Sequence, residues 1–242
     1  MRRSATRPRS CTRAGRSRCA SSAPTSTSAG APGRFDEGAR GEPVAAIGIF
    51  GGAFNPPHLG HLVCAQEAWV QLGLERVLLV PVAQAPHREI EGDPGAEERF
   101  AMCAEAVAGD QRLEVSRIEI DRGGPSYTVD TLRALHADHP EDELHLILGA
   151  DQAAALGSWR EPEEVLRLAA VAVAERRGVA RSDLLERVSS IPGSGDRIAF
   201  FDMPRVDISA SLLRRRAAEG KPLRYLLPAA VAARVASERL YA

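Results

Sequence analysis

The residues best equipped for chemistry fall in one short stretch, Gly51-Gly52-Ala53-Phe54-Asn55-Pro56-Pro57-His58-Leu59-Gly60-His61. His58 and His61 are three positions apart, which puts both imidazoles on one face of a first helical turn. From there both can donate hydrogen bonds to phosphate oxygens. Gly51 and Gly52 let the backbone turn tightly and approach a ligand with no Cβ in the way. The first N–H groups of the helix that follows add a partial positive charge aimed at an anion. Taken singly, a glycine pair after a strand is a common turn, and His-x-x-His is half of a metal site. No glutamate stands where the HExxH metal pattern needs one. Strand, glycine loop and helix start together form an arrangement that can cradle a phosphate.

Further strings carry chemistry of the same kind. In Ile208-Ser209-Ala210-Ser211-Leu212-Leu213-Arg214, either Ser209 or Ser211 can N-cap a helix whose N–H groups face an anion, and Arg214 can neutralise phosphate oxygens one turn in. Standing alone, that stretch would read as an ordinary capped helix with a solvated arginine run. Asp151, in Gly149-Ala150-Asp151, can bind ribose hydroxyls from a strand tip or cap the next helix. Trp159 is either a packing lid or a platform for a flat ring.

The elements that must position these residues follow from hydrophobic runs. Val44–Phe50, Arg76–Val82, Glu143–Leu148, Ala169–Ala174 and Arg197–Phe201 suit buried parallel strands, and Leu113–Ile120 alternates well enough for another. Helical patterns start near His58, cover 96–107, begin again at 126–132, cover 161–168 and 179–195 in part, follow 207–216, and close at 231–240. Strands alternating with helices predict an α/β fold, a Rossmann-like doubly wound parallel sheet with helices on both faces. The chemical strings then all fall at strand carboxyl ends, including Ala85-Pro86-His87-Arg88.

Composition bounds the rest. The 242 residues are 44% hydrophobic with a formal net charge of −1, enough for one sizeable core and with no broad pull toward nucleic acid or membrane. Basic residues are nearly all arginine, Lys221 being the lone lysine. Cys11, Cys19, Cys64 and Cys103 show no metal spacing, which favours a reduced intracellular, cytoplasmic protein. Residues 1–43 are rich in Arg, Ser, Ala, Gly and Pro, and are expected to form a disordered tail ahead of one domain spanning 44–242. An organellar transit peptide has a similar composition; a flexible tail, or a start site set upstream of the real one, is the simpler reading. The oligomeric state stays open, a homo-oligomer included.

From about residue 45 onward, the strings GIFGGAFNPPHLGHL, APHR, PSYTVDTL, LILGAD, SW, VAVAERRG, ISASLLR and YLLPAAV resemble, in order, the bacterial nicotinate-nucleotide adenylyltransferases, a branch of the nucleotidylyltransferases with a His-x-Gly-His phosphate site. The resemblance implies transfer of adenylyl from ATP to nicotinate mononucleotide, with Mg²⁺, giving nicotinate adenine dinucleotide and pyrophosphate. It further implies that His61, with His58 beside it, meets the ATP phosphates. Backbone around Gly51, Gly52, Ala53 and Phe54 would serve the nucleotides, Ser209, Ser211 and Arg214 the phosphates, and Asp151 a ribose. For the mononucleotide it implies Asn55, His87, Arg88, the N–H groups of Thr128 and Arg160, and the Trp159 ring. The chain departs from the family's usual residues at Asn55 (commonly Asp), at Ala210-Ser211 (commonly Ser-Thr) and at Arg160 (often aromatic). The closest competing expectations are the same chemistry on the amide mononucleotide or phosphopantetheine, and a nucleotide-binding protein without catalysis.

Overall fold

Six short apolar runs pair side by side. The computed structural model describes residues 44–86, 89–175 and 181–242. Its strands are β1 (Ala46–Gly52), β2 (Arg76–Pro81), β3 (Leu113–Val115), β4 (Glu143–Gly149), β5 (Ala169–Glu175) and β6 (Ile198–Asp202). All neighbours are parallel, in the order β3-β2-β1-β4-β5-β6. Parallel pairing needs crossovers, and helices supply them: α1 (Leu59–Leu72), α2 (Ala96–Val107), α3 (Ile118–Arg122), α4 (Thr128–Asp138), α5 (Ala150–Ala154), α6 (Pro162–Leu168), α7 (Arg181–Val188), α8 (Ala210–Ala218) and α9 (Ala229–Ser237).

The doubly wound sheet expected from the sequence is therefore present. Alternate strand residues feed two cores. Ile47, Ile49, Leu146, Leu148, Val171 and Val173 pack on α4, α5, α6 and α7, whereas Phe50, Val77, Leu79, Ile147 and Ala172 pack on α1 and α2. A smaller cluster joins Met102 of α2 to Leu213 of α8 and to Val231 and Val235 of α9. Helix α8, which carries Arg214, is thus fastened to the outer side of α2. Among the described residues, no helix is long and apolar enough to cross a membrane.

Two local expectations need correction. The strand expected over 113–120 stops at Val115, and α3 begins at Ile118. Leu113 and Val115 keep the period of two, but the next apolar residue is Ile118, three further on, so the alternation changes face and the strand cannot continue. Ser116 Oγ accepts the Ile118 N–H at 3.3 Å and starts the helical turn instead. Gly51 and Gly52 do not make the turn either. They complete β1, in register with Val80 and Pro81, and the turn comes at Phe54, whose φ is 47°.

This strand order has its switch point between β1 and β4, where chain connections leave to opposite sides and a crevice opens beyond the carboxyl ends. The loops after these two strands carry the histidine string and Asp151. At the base of β1, Gly48 lets Leu74, Ile147 and Val77 close over the strand; a Cβ there would lie 2.8 Å from Leu74 Cδ1 and 2.9 Å from Ile147 Cδ1. Gly48→Val is expected to overpack this core and lower stability by about 1–3 kcal/mol, read from the urea midpoint.

Candidate active site

The loop after β1 is shaped by aromatic packing. Phe54 sits in the left-handed region, a conformation that costs a bulky residue about 1–3 kcal/mol. Burial offsets this: the ring is 2% exposed and meets Phe50 edge-on at 5.6 Å and His61 at 5.1 Å. Its side chain is therefore structural, which leaves only its backbone to serve a ligand. After the turn, His58 becomes the N-cap of α1. The His58 and His61 rings stack with centroids 3.8 Å apart. The His58 backbone N–H donates to His61 Nδ1 at 3.1 Å, so Nδ1 is the acceptor and the ring proton resides on Nε2. Gly60 makes the stack possible, since a Cβ would stand 3.0 Å from His58 Nδ1 and 3.5 Å from Val206 Cγ1.

Asn55 ties this loop to the far side of the chain. Its amide donates to the carbonyls of Glu91 at 2.9 Å and Gly92 at 3.4 Å, and its Oδ1 accepts the Tyr241 hydroxyl at 2.7 Å. An aspartate could not donate to those carbonyls, which gives a reason for asparagine here. The side chain expected to meet substrate is engaged internally. Burial pushes the Tyr241 phenol up from its ordinary value, so the hydroxyl remains a donor. The Asn55 carbonyl accepts from Arg214 at 3.0 Å, and the same guanidinium reaches Ser211 Oγ at 3.3 Å and Glu91 at 2.6 Å. Of the two candidate caps on α8, Ser209 is the N-cap, accepting the Leu212 N–H at 3.2 Å; Ser211 lies inside the first turn beside Arg214.

Sequence reading missed Arg99. Its side chain is fully buried, and it donates to Asp93 (2.8 Å) and to the carbonyls of Ala53 (3.1 Å), Val82 (2.8 Å) and Ala83 (3.4 Å). One guanidinium thus pins the loops after β1 and β2 and the start of the 93–95 turn. Ser126 closes the same seam: its Oγ accepts the Ala83 N–H at 2.9 Å. Beneath it, Glu119 accepts from Thr131 at 2.7 Å, and burial raises its carboxyl above the ordinary range while Thr131 and Ser126 pull the other way. An arginine inside a periodic helix normally reads as solvated, so only tertiary structure reveals these partners.

Of the remaining predicted residues, Thr128 and Arg160 are brought together through the Tyr127 ring. Thr128 opens α4, so its N–H has no acceptor within the helix. Trp159 packs partly on the core and stays partly exposed. Arg160 lies over the Tyr127 ring at 4.8 Å and pairs with Asp130 at 3.4 Å and Glu161 at 3.5 Å. Asp151 is exposed in the first turn of α5, behind the N-cap Gly149. His87 and Arg88 lie outside the described residues, as does the tail of 1–43. A separate apolar cavity of about 950 Å³ near Leu223 and Tyr225 holds none of the predicted site residues.

Comparison with known proteins bears on this arrangement. The cytidylyltransferase-like family matches residues 49–216. A protein of Roseiflexus sp., named a probable nicotinate-nucleotide adenylyltransferase, is 45% identical over 197 residues, covering 81% of this chain and 98% of its own length. Another so named, from Herpetosiphon aurantiacus, is 40% identical over 195 residues, with 81% and 98% covered. The chain belongs to the nicotinate-nucleotide adenylyltransferases, within the cytidylyltransferase-like family. The fold agrees: a Plasmodium falciparum nicotinic acid mononucleotide adenylyltransferase, solved with NaAD, superposes with a TM-score of 0.67 over 81% of this chain and 97% of that one, at 17% identity.

Two outcomes follow for this adenylyltransferase. Arg99→Met removes a buried cation while leaving Asp93 and main-chain carbonyls in need of donors; a loss of about 3–5 kcal/mol is expected in denaturant unfolding. Gly60→Ala forces the His58 ring to shift by a few tenths of an ångström. It should lower kcat with little change in the unfolding midpoint, because the helix backbone accepts alanine.

Proposed function

We propose that the crevice beyond β1 and β4 transfers the adenylyl group of ATP to nicotinate mononucleotide, releasing pyrophosphate and forming nicotinate adenine dinucleotide, as a step of NAD biosynthesis. A phosphate oxygen of the mononucleotide attacks the α-phosphorus in line, and the bond from that phosphorus to the bridging oxygen of pyrophosphate breaks. The nucleophile is already charged, so positioning and charge neutralisation carry the reaction rather than a strong base. The observation that supports this best is the bond from Arg214 to the Asn55 carbonyl, 3.0 Å across 159 residues. In this reading it ties α8 to the loop that leads into α1, and the starts of both helices border one anion-binding rim.

In this reading, the Nε2–H of His61 faces the ATP phosphates, and His58 holds that ring by stacking. The N–H groups of Gly52, Ala53 and Phe54 border the nucleotide, and Arg214, Ser211 and the capped turn at Ser209 grip the β- and γ-phosphates. Asp151 takes a ribose. Trp159 stacks on the pyridine ring, and the N–H groups of Thr128 and Arg160 receive its carboxylate, with His87 and Arg88 over the substrate phosphate. Mg²⁺ would come with ATP, held chiefly by phosphate oxygens and waters, and would supply positive charge to offset that of the pyrophosphate. Cytoplasmic residence fits the buried free thiol of Cys103.

The deciding assay is pyrophosphate release from MgATP, with nicotinate mononucleotide and its amide compared side by side. The expected result is a preference for the acid of about 10²-fold or more in kcat/KM, because helix-terminal N–H groups have no anion to bind in the amide. Equal use of both would remove the carboxylate site from the account and keep the adenylyl transfer. Activity with neither would favour phosphopantetheine or a non-catalytic role.

A further inference from the structure

The ion pair between Arg214 and Glu91 is lopsided. Only 14% of the Arg214 side chain is exposed, against 83% for Glu91, yet Nη2 and Oε2 are 2.6 Å apart. The cation belongs to the wall of the site and the anion arrives from solvent. The carboxylate is nonetheless delivered by a fixed tether. Asn55 holds the Glu91 carbonyl at 2.9 Å, Tyr241 holds Asn55 at 2.7 Å, and Gly92 runs against the Arg214 stem, where a Cβ would lie 3.5 Å from Cδ. Asp93, the neighbouring acid, is turned away to the buried Arg99.

We propose that Glu91 is an internal substitute for a phosphate, occupying the anion position on Arg214 and thereby setting the affinity of the site for the polyphosphate of ATP. The proposal rests on the reading that Arg214 faces that polyphosphate. A guanidinium fork accepts carboxylate and phosphate oxygens in the same geometry. When ATP binds, the Glu91 side chain rotates away while its carbonyl stays on Asn55, and Arg214 keeps its bond to the Asn55 carbonyl. The vacated donors then take phosphate oxygens, which carry more charge and more acceptor positions than one carboxylate. Until that exchange only part of the population has Arg214 available, so the apparent affinity for ATP falls by that fraction. A partly exposed pair of this kind lowers it by about two- to fivefold.

Glu91→Gln keeps the shape and removes the charge. Isothermal titration with a non-hydrolysable ATP analogue and Mg²⁺ should give a Kd about two- to fivefold below that of the unaltered chain, with a matching fall in the KM for ATP and no change in the KM for the mononucleotide. The gain should shrink as salt rises and screens the pair. A Kd that is unchanged or higher in Glu91→Gln overturns the role of Glu91. Arg214→Met separates this from the underlying reading: weakened analogue binding in that variant keeps the polyphosphate on Arg214 whatever Glu91 does. Binding as tight as in the unaltered chain removes that placement and the proposal with it.

Discussion

A guanidinium sealed from water holds the rim of this molecule together. Arg99 sits on α2, yet its donors go to Asp93 and to carbonyls of the loops after β1 and β2. Burying such a charge is tolerable only when its donors are met, so these segments are obliged to stay in register with one another. The sheet sets where each loop begins. Arg99 sets how two of them lie relative to each other, and the turn that follows inherits that position through Asp93. The histidine stack, the Asn55 bonds and the Arg214 pair are all built on backbone that this one side chain constrains.

The local parts of the site were readable from sequence because they depend on short spacings. His58 and His61 share a helical face by period alone, and the continuous apolar character of the central strands follows from burial on both sides. Helix α2 was legible to the residue, from 96 to 107. What could not be read depends on distant partners. The carbonyl acceptors of Arg99 lie 46, 17 and 16 residues away, and nothing in its immediate neighbours distinguishes it from a surface arginine. Choosing between Ser209 and Ser211 as the cap required backbone geometry. The false strand beyond Val115 had a visible cue, the apolar step of three to Ile118, that the composition of the stretch masked.

Asn55 illustrates how one residue can look like a departure in sequence and be a requirement in structure. As a ligand-facing residue it would seem a weakened aspartate. Its two functional groups instead face carbonyl acceptors on one side and a phenolic donor on the other, and only an uncharged amide satisfies both. Chemical identity here is dictated by the framework around the site.

The loop after β1 is drawn early from the chain but finished late. Its partners are Glu91, Arg214 and Tyr241, separated from Asn55 by 36, 159 and 186 residues. A chain growing from its amino end could form all six strands while the bonds from Arg214 and Tyr241 remained unmade, because both residues follow β6. The sheet can therefore fold during synthesis, but the loop after β1 is fastened only once α8 and Tyr241 have followed, since contacts of such separation form after local ones. A newborn chain would pass through a stage in which it has the architecture of its family with the loop after β1 still unfastened.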